Sequence, residues 1–234
     1  MNGLLGTVRK TLHELDQGLK GALNITDAME ALSNALALNK VPAQWEAVAY
    51  FSKKTLVEWF VDLIARVDQL KEWSSEMVAP FSLWISGLFN PMSFITAIMQ
   101  VTAREQNLPL DNMVLRTDVT NNPDQSDITT HSNSGSYIHG FYLEGAAWEL
   151  GRPGEQGYLT DQQPKDLHPL LPVVHITAIP SKDRVTRGYY ECPVYVTSMR
   201  GPTIVFTAWL QMESEDFDDS KWILSGTCLL MSGE

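Results

Sequence analysis

Cysteine is scarce in this sequence, and an apolar leader of the kind found in secreted proteins is missing. Only Cys192 and Cys228 occur among 234 residues, each inside an apolar, strand-like run. A disulfide framework that stabilises a small secreted domain needs more cysteines than this. The N-terminal segment also lacks the uninterrupted apolar stretch of a signal peptide. We therefore expect two reduced, buried thiols in a cytoplasmic protein.

Basic residues are also in short supply. The chain has 17 Lys and Arg against 28 Asp and Glu, a formal net charge of −11. A surface that binds nucleic acid needs clustered Lys and Arg to neutralise phosphates, so we expect no nucleic-acid partner. The densest acidic run, ESEDFDD at residues 213–219, is typical of a solvated loop. As an exposed contact loop for a basic partner, it would use Glu213, Glu215, Asp216, Asp218 and Asp219.

Long uninterrupted apolar runs are absent as well. The uncharged segment at residues 77–103 has 27 positions, which is longer than a bilayer span requires. Pro80 and Gly87 interrupt it, and Asn90-Pro91 has the pattern of a helix N-cap followed by proline at the first helical position. Each half is then too short to cross a bilayer. The segment predicts buried core, a new helix from residue 91, and no membrane partner.

The first half of the chain has apolar residues at helical spacing. Asp27, followed by Glu30, resembles an N-terminal capping arrangement, and Pro42 marks the end of that helix. The widest stripe predicts a helix over residues 54–73 that buries this face against a partner. The stripes consist of Leu5, Val8, Leu12, Leu15 and Leu19; of Met29, Leu32 and Leu36; of Leu56, Trp59, Phe60, Leu63, Ile64, Val67 and Leu70; and of Ile95, Ile98, Met99 and Thr102.

The pattern changes period at residue 113. MVLRTDV, residues 113–119, predicts a strand, and the polar, turn-forming residues after it predict a long loop. Pro193 cannot donate a ladder hydrogen bond, so we expect it at a sheet edge or a bulge. The fold class is α+β, with a helical subdomain over residues 1–112 and an antiparallel β-barrel-like subdomain over 113–234. Further strands are predicted over 137–143, 173–178, 189–198, 203–212 and 222–231.

Two patterns point to a cofactor, and each lacks a necessary part. GSYIHG, residues 135–140, has the glycine spacing of a phosphate loop but no following Lys and Ser or Thr to reach the terminal phosphates. His168, His175, Cys192 and Cys228 have no close-ligand spacing such as Cys-x-x-Cys. We therefore expect no nucleotide, no metal and no other cofactor.

The stretch YIHGFYLEGAAWE, residues 137–149, brings Glu144 and Glu149 close to His139 in the sequence. On a continuing strand, carboxylates five positions apart lie on opposite faces, so they cannot flank one scissile bond without a turn. A lone Glu bonded to backbone amides at a bulge is the commoner arrangement. We expect no catalytic residue, and a free-standing hydrolase built on Glu144 is the less favoured alternative.

A series of six segments resembles the C-terminal domain of dynein heavy chains, in particular the axonemal outer-arm type. The series is specific because its members occur in order and cover nearly the whole sequence, from residue 1 to residue 231. The segments are MNGLLGTVRKTLHELDQGLKG, MEALSNALALNKVPAQW, LWISGLFNPMSFITAIMQ, YIHGFYLEGAAWE, ECPVYVTSMRGPTIVFT and SKWILSGTCLLM.

Particular residues match the motifs of that family. The G-x-x-L-E-G-A-x-W pattern and the C-P-V-Y strand are both present, and their matching residues are structural family positions rather than catalytic ones. These residues are Gly140, Glu144, Gly145 and Trp148 in the first motif and Cys192, Pro193 and Tyr195 in the second.

The resemblance implies a non-catalytic part of a larger motor protein. Its expected partner is the ring of six AAA+ modules of the same heavy chain, on which it would pack, stabilising the ring and modulating ATP-driven, microtubule-based force. Other dynein-arm and axonemal proteins are further expected partners. The expected location is the cytoskeleton of a cilium or flagellum, in the axoneme. The alternative is an interaction module that recruits other axonemal proteins.

Overall fold

The computed structural model describes residues 1–214 and 218–232. The chain separates into two compact units, Met1–Glu76 and Met77–Glu234. The boundary between the units, after Glu76, lies upstream of residue 112. The helix over residues 91–105 belongs to the second unit because it packs on strands of that unit. The subdomain boundary expected at residue 112 from the change of period stays a prediction.

The first unit is helical, as the apolar stripes predict. Its second helix is capped by Thr26, whose hydroxyl accepts a hydrogen bond from the Met29 N–H at 3.4 Å. Asp27 therefore lies in the first turn and is not the N-cap, so the predicted cap is wrong by one residue. A hydroxyl at the cap and a carboxylate in the first turn both stabilise a helix N-terminus. The helices are α1 (Asn2–Leu19), α2 (Asp27–Ala37), α3 (Ala43–Glu46) and α4 (Leu56–Glu76).

An aromatic cluster forms the core of the first unit. The rings of Trp45 on α3 and Trp59 on α4 stack with centroids 6.0 Å apart, and the Trp45 indole N–H donates to the Thr11 hydroxyl on α1 at 3.0 Å. Leu63 is also buried, as the widest stripe predicts. Ile64 is not: it is 58% exposed, because it lies at the flank of the stripe, about 100° around α4 from Leu63. The prediction that the whole stripe is buried is therefore wrong at Ile64.

A buried ion cluster lies beside this core. Asp62 accepts hydrogen bonds from Lys54 Nζ at 2.8 Å and from Arg66 Nε at 2.5 Å. The Arg66 guanidinium lies over the Tyr50 ring, 3.8 Å from its centroid. Burial favours the neutral carboxyl, but the hydrogen bonds from Lys54 and Arg66 hold the pKa of Asp62 below its ordinary value of 3.8. The cluster is satisfied only while Asp62 is ionised.

The second unit contains the helix predicted from Asn90-Pro91. The Asn90 side-chain oxygen accepts from the Ser93 N–H at 3.2 Å, with Pro91 at the start of the helix, which confirms that prediction. Within residues 1–214 and 218–232, no helix has the length and apolar character needed to cross a bilayer. The elements are β1 (Ser82–Trp84), α5 (Pro91–Glu105), β2 (Met113–Val119), β3 (Ser136–His139), β4 (Tyr142–Glu144), β5 (Ala147–Glu149), β6 (Tyr158–Thr160), β7 (Val174–Pro180), β8 (Tyr189–Tyr195), β9 (Phe206–Gln211), α6 (Ser220–Leu224) and β10 (Cys228–Leu230).

The described strands form three sheets, with orders β1-β3-β7-β2, β4-β10-β8-β9 and β5-β6. Five pairings are antiparallel, as predicted, but β1 with β3 and β10 with β8 pair in parallel. A parallel pair joins strands that are distant in sequence, which local patterning does not reveal. The α+β class is confirmed. Among the described residues no sheet closes into a barrel, so the predicted barrel-like form of the β subdomain is not confirmed.

Three strand predictions need correction. The run 137–143 is not one strand: β3 ends at His139, Gly140 has φ +94°, and β4 begins at Tyr142 in a different sheet. The run 222–231 is not one strand: it contains the end of α6, a turn at Gly226 with φ +65°, and then β10. Pro193 is not at an edge, because β8 lies between β10 and β9. The parallel pairing with β10 takes in Val194 and Tyr195 only, so the ladder on that side begins after the proline. An internal strand thus accommodates a residue that has no N–H.

One threonine hydroxyl links the two four-stranded sheets. Thr117 on β2 is almost fully buried, and its hydroxyl donates to the Trp209 carbonyl at 2.9 Å and accepts from the Trp209 N–H at 2.6 Å. A hydroxyl can donate and accept at the same time, so it satisfies both backbone groups of Trp209 on β9. The two sheets are fixed to each other at this point.

The ion cluster of the first unit yields a stability prediction. Asp62→Asn removes the charge that Lys54 and Arg66 surround. Leaving the buried Arg66 and the partly buried Lys54 without their counter-charge should cost about 3 kcal/mol of unfolding free energy. Denaturant unfolding of the 234-residue protein measures this. Because the pKa of Asp62 is lowered in the folded state, its contribution is present above the ordinary carboxyl pKa and is lost as pH falls through the folded value.

The matched control is Asp16→Asn. Asp16 on the exposed face of α1 pairs with Lys20 at 2.7 Å, a setting in which an ion pair contributes only about 0.5 kcal/mol. The wild type should lose stability more steeply below about pH 4 than the Asp62→Asn variant does. Equal losses from the two substitutions would contradict the cluster's role.

Candidate functional site at strand β10

The two family motifs flank the same strand. β10 pairs antiparallel with β4, which carries the first motif, and in parallel with β8, which carries the second. In this register Cys228 lies opposite Glu144, and Leu229 lies opposite both Leu143 and Val194. All three β10 residues are buried. The structure therefore brings the two motifs together through a third segment that lies between them.

Arg200 connects three parts of this junction. Its Nη2 lies 3.1 Å from Glu144 Oε1 and donates to the Gly226 carbonyl at 2.8 Å. Arg200 adopts a positive φ of 58° in the connection between β8 and β9. Sequence reasoning missed Arg200, because no spacing rule places a residue 56 positions downstream beside Glu144. Its occurrence in the segment ECPVYVTSMRGPTIVFT was the available signal.

The thiols at this junction are poor nucleophiles. Cys228 and Cys192 are both free and buried. Cys228 Sγ donates to Glu144 Oε2 at 3.7 Å, and burial raises the pKa of Cys228 to about 11. Burial also raises the pKa of Cys192 well above its ordinary value. The reactive form of cysteine is the thiolate, so both side chains act as small apolar residues at neutral pH.

Gly145 and Gly140 occupy positions that other residues fit poorly. Gly145 has φ +77°, and a Cβ added there would lie 2.7 Å from the Ser225 carbonyl oxygen. Gly140 has φ +94°, and its added Cβ would lie 2.5 Å from the Trp84 ring. The backbone turns at Gly145 between β4 and β5, which places Glu144 and Glu149 on strands of different sheets. The two carboxylates therefore do not lie on one continuing strand.

Trp148 packs against the backbone of the β5–β6 hairpin. A Cβ added at Gly157 would lie only 2.4 Å from Trp148 Nε1, so this contact needs glycine. The indole N–H is buried and has no hydrogen-bond partner among the described residues. It lies at a small cavity that is also lined by Asp118, Gln156 and Tyr189. The cavity is far smaller than the several hundred Å³ of a ligand pocket.

His139 and His175 make local polar contacts. His139 Nδ1 and Ser82 Oγ are 2.9 Å apart, and burial lowers the pKa of His139 to about 4, so its ring is neutral at pH 7. His175 Nε2 lies 2.7 Å from Ser132 Oγ and 3.0 Å from the Ser134 carbonyl oxygen. Among residues 1–214 and 218–232, no group of three or more His, Cys, Asp or Glu side chains could hold a metal ion.

The acidic loop is only partly described. Glu213 and Asp218 are exposed and Asp219 is half-buried, whereas Glu215 and Asp216 lie outside the described residues. The Asp218 carboxylate accepts from the Ser220 N–H at 3.1 Å and the Ser220 hydroxyl at 2.7 Å, and these bonds lower the pKa of Asp218. The use of this loop as a contact surface stays a prediction.

A pair of glycine substitutions tests the packing at the junction. Gly145→Ala adds a Cβ in a left-handed conformation and against the Ser225 carbonyl oxygen. Gly154→Ala adds one at φ +89° with nothing within 4 Å, so it carries the conformational cost alone, about 1 kcal/mol. Overpacking should add about 1–3 kcal/mol for Gly145→Ala. Denaturant unfolding measures both, and equal losses would show that the carbonyl contact is unimportant.

A second pair tests whether Glu144 is a structural residue. Glu144→Gln keeps the shape but removes the charge that pairs with Arg200. Because these side chains are 30% and 37% exposed, we expect a modest stability loss of about 1 kcal/mol. Glu191→Gln, which removes the charge from the exposed pair with Arg184, is the control and should cost less. Loss of a hydrolytic activity with unchanged stability would contradict the structural assignment.

Comparison with known proteins identifies the family. A family model for the C-terminal domain of dynein heavy chains matches residues 1–231. The sequence is 44% identical over 231 residues to "Dynein beta chain, ciliary" of Tripneustes gratilla and 43% identical over 232 residues to "Dynein beta chain, flagellar outer arm" of Chlamydomonas reinhardtii. It is 42% identical over 231 residues to "Dynein axonemal heavy chain 9" of Homo sapiens.

Each of these alignments takes in 99% of this sequence but only 5% of the relative. The sequence thus spans about one twentieth of the length of the relatives that it matches. The resemblance seen in the sequence motifs is confirmed, and the matched range has the same limits, residues 1 and 231. The protein belongs to the family of dynein heavy-chain domains that the matching model describes, the C-terminal domain.

Proposed function

We propose that this protein is a non-catalytic C-terminal region of an axonemal dynein heavy chain. It packs on the AAA+ motor ring of the same heavy chain, stabilises the ring and modulates ATP-driven, microtubule-based force production. It acts in the cytoskeleton of a cilium or flagellum, as part of an axonemal dynein arm. The names of the relatives, which are ciliary and flagellar outer-arm proteins, support this location.

The observation that carries the non-catalytic assignment is the use of the motif residues for internal contacts. Glu144 pairs with Arg200 and accepts from Cys228, and the backbone at Gly145 approaches Ser225 closely. A catalytic carboxylate needs a positioned partner and access to substrate. Glu144 has an ion-pair partner instead, and the residues around it close the junction between strands.

A rigid β part suits a modulating role. We propose that the three sheets act together as a barrel-like body, and the Thr117 bond to Trp209 on β9 supports this by holding the two larger sheets in one arrangement. A domain biases a ring only if its contacts differ between the ring's nucleotide states. A body that does not deform transmits such a difference, whereas a flexible one absorbs it.

Recruitment of other axonemal proteins is the second candidate. The exposure of Glu213 and Asp218 favours it, because these carboxylates are accessible to a basic surface. It is compatible with ring packing, since one protein can make both kinds of contact.

Deletion of residues 113–234 from the full-length heavy chain tests the proposed function. We expect a lower melting temperature of the motor and a change in ATPase rate, velocity or stall force, because contacts that differ between nucleotide states are lost. Reversal of the charges at residues 213–219 is the control for recruitment and should leave these properties of the isolated motor unchanged. A deletion that alters none of the four would overturn the proposal.

A further inference from the structure

An unsatisfied hydrogen-bond donor lies at the small cavity beside the β5–β6 hairpin. In the described part of the chain, Trp148 Nε1 is the one buried side-chain nitrogen or oxygen that has no hydrogen-bond partner. Burying a polar group without a partner costs folding free energy, so native structures pair almost all such groups with protein or with ordered water. The space in the cavity that the centre of a water molecule can reach is about 10 Å³. One bound water needs about this much room.

The outer edge of β2 forms another wall of the cavity. The Thr120 N–H, which follows β2, donates to the Val173 carbonyl at 2.8 Å. In an antiparallel register, residues alternate between directing their backbone groups to the partner strand and directing them away from it. Thr117 and Val119 therefore direct theirs away from β7, and both residues line the cavity. The cavity thus has backbone carbonyl oxygens of β2 on one side and the Trp148 indole N–H on another.

The chemistry of these walls selects the occupant. The indole N–H only donates and a carbonyl oxygen only accepts, so the occupant must accept from the first and donate to the second. A metal cation cannot accept, and an anion would lie near Asp118, which also lines the cavity and pairs with Arg116 at 2.9 Å. Water does both and fits the space. We propose that one internal water molecule binds in this cavity, accepts from Trp148 Nε1 and donates to a backbone carbonyl oxygen of Thr117 or Val119.

This water connects the small β5–β6 sheet to β2. A two-stranded hairpin is marginally stable on its own, so its links to the neighbouring sheet matter. One direct link is the Asn121 side chain just beyond β2, whose Nδ2 donates to the Glu155 carbonyl at 2.7 Å and whose Oδ1 accepts from the Gly151 N–H at 3.1 Å. The water adds a second link, at Trp148. A water that bridges two protein groups contributes nearly as much enthalpy as a direct hydrogen bond.

A crystal structure of the 234-residue protein, at a resolution that shows ordered water, tests the site. We expect one electron-density peak about 2.7–3.2 Å from Trp148 Nε1 and within the same range of a carbonyl oxygen of Thr117 or Val119. Trp45 is the internal control, because its indole N–H already donates to the Thr11 hydroxyl at 3.0 Å and should bind no water. A site without density, or a Trp148 N–H bonded to a protein group instead, would overturn the inference.

Nuclear magnetic resonance tests the same water in solution. The Trp148 indole signal is the one that Trp148→Phe removes from the signals of the seven tryptophans, and assignment through the backbone identifies it if that variant does not fold. We expect a cross-relaxation peak between this N–H and water, with the sign of a contact that lasts longer than molecular tumbling. A missing peak, or one with the sign of a brief contact, means that the indole N–H holds no bound water and overturns the inference.

Discussion

The second unit depends on a buried strand of three residues. β10 is the only described neighbour of β4 in its sheet, and it separates β4 from β8. Its backbone pairs with β4 on one side and with β8 on the other, while Cys228, Leu229 and Leu230 are inaccessible to solvent. Buried backbone groups must be paired, so removing this strand would leave both of its neighbours unsatisfied. Both family motifs are thus held in place by a segment that belongs to neither.

The polar groups around β10 connect segments that are distant in the sequence. Arg200 pairs with Glu144 and also satisfies the carbonyl of Gly226. Tyr190 donates to the Thr227 carbonyl at 2.9 Å, and the Thr227 hydroxyl donates to the Gly145 carbonyl at 3.2 Å. These bonds satisfy the turn that precedes β10. Polar side chains of the kind that often act in catalysis connect segments of the chain at this junction.

Sequence reasoning predicted the parts of the fold that have a local cause. β2 has the limits given by the alternation in MVLRTDV, and α5 begins where Asn90-Pro91 supplies a cap and a fixed φ. The run 222–231 was misjudged because its apolar residues serve first a short helix and then a strand, and periodicity in so short a run does not separate the two. The partners of β10 and the position of Arg200 arise from contacts between distant segments, which a single sequence does not encode as a pattern.

The order of the strands along the sequence has a consequence for biosynthesis. β1, β3, β7 and β2 make up one sheet and have all left the ribosome once residue 180 has emerged, so that sheet can assemble early. The other sheet cannot, because β4 meets β8 only through residues 228–230. Until those residues are translated, the nascent polypeptide exposes two apolar strand edges, a state that invites aggregation and chaperone binding. Maturation of this unit therefore waits for the synthesis of three residues that lie far downstream of the strands they join.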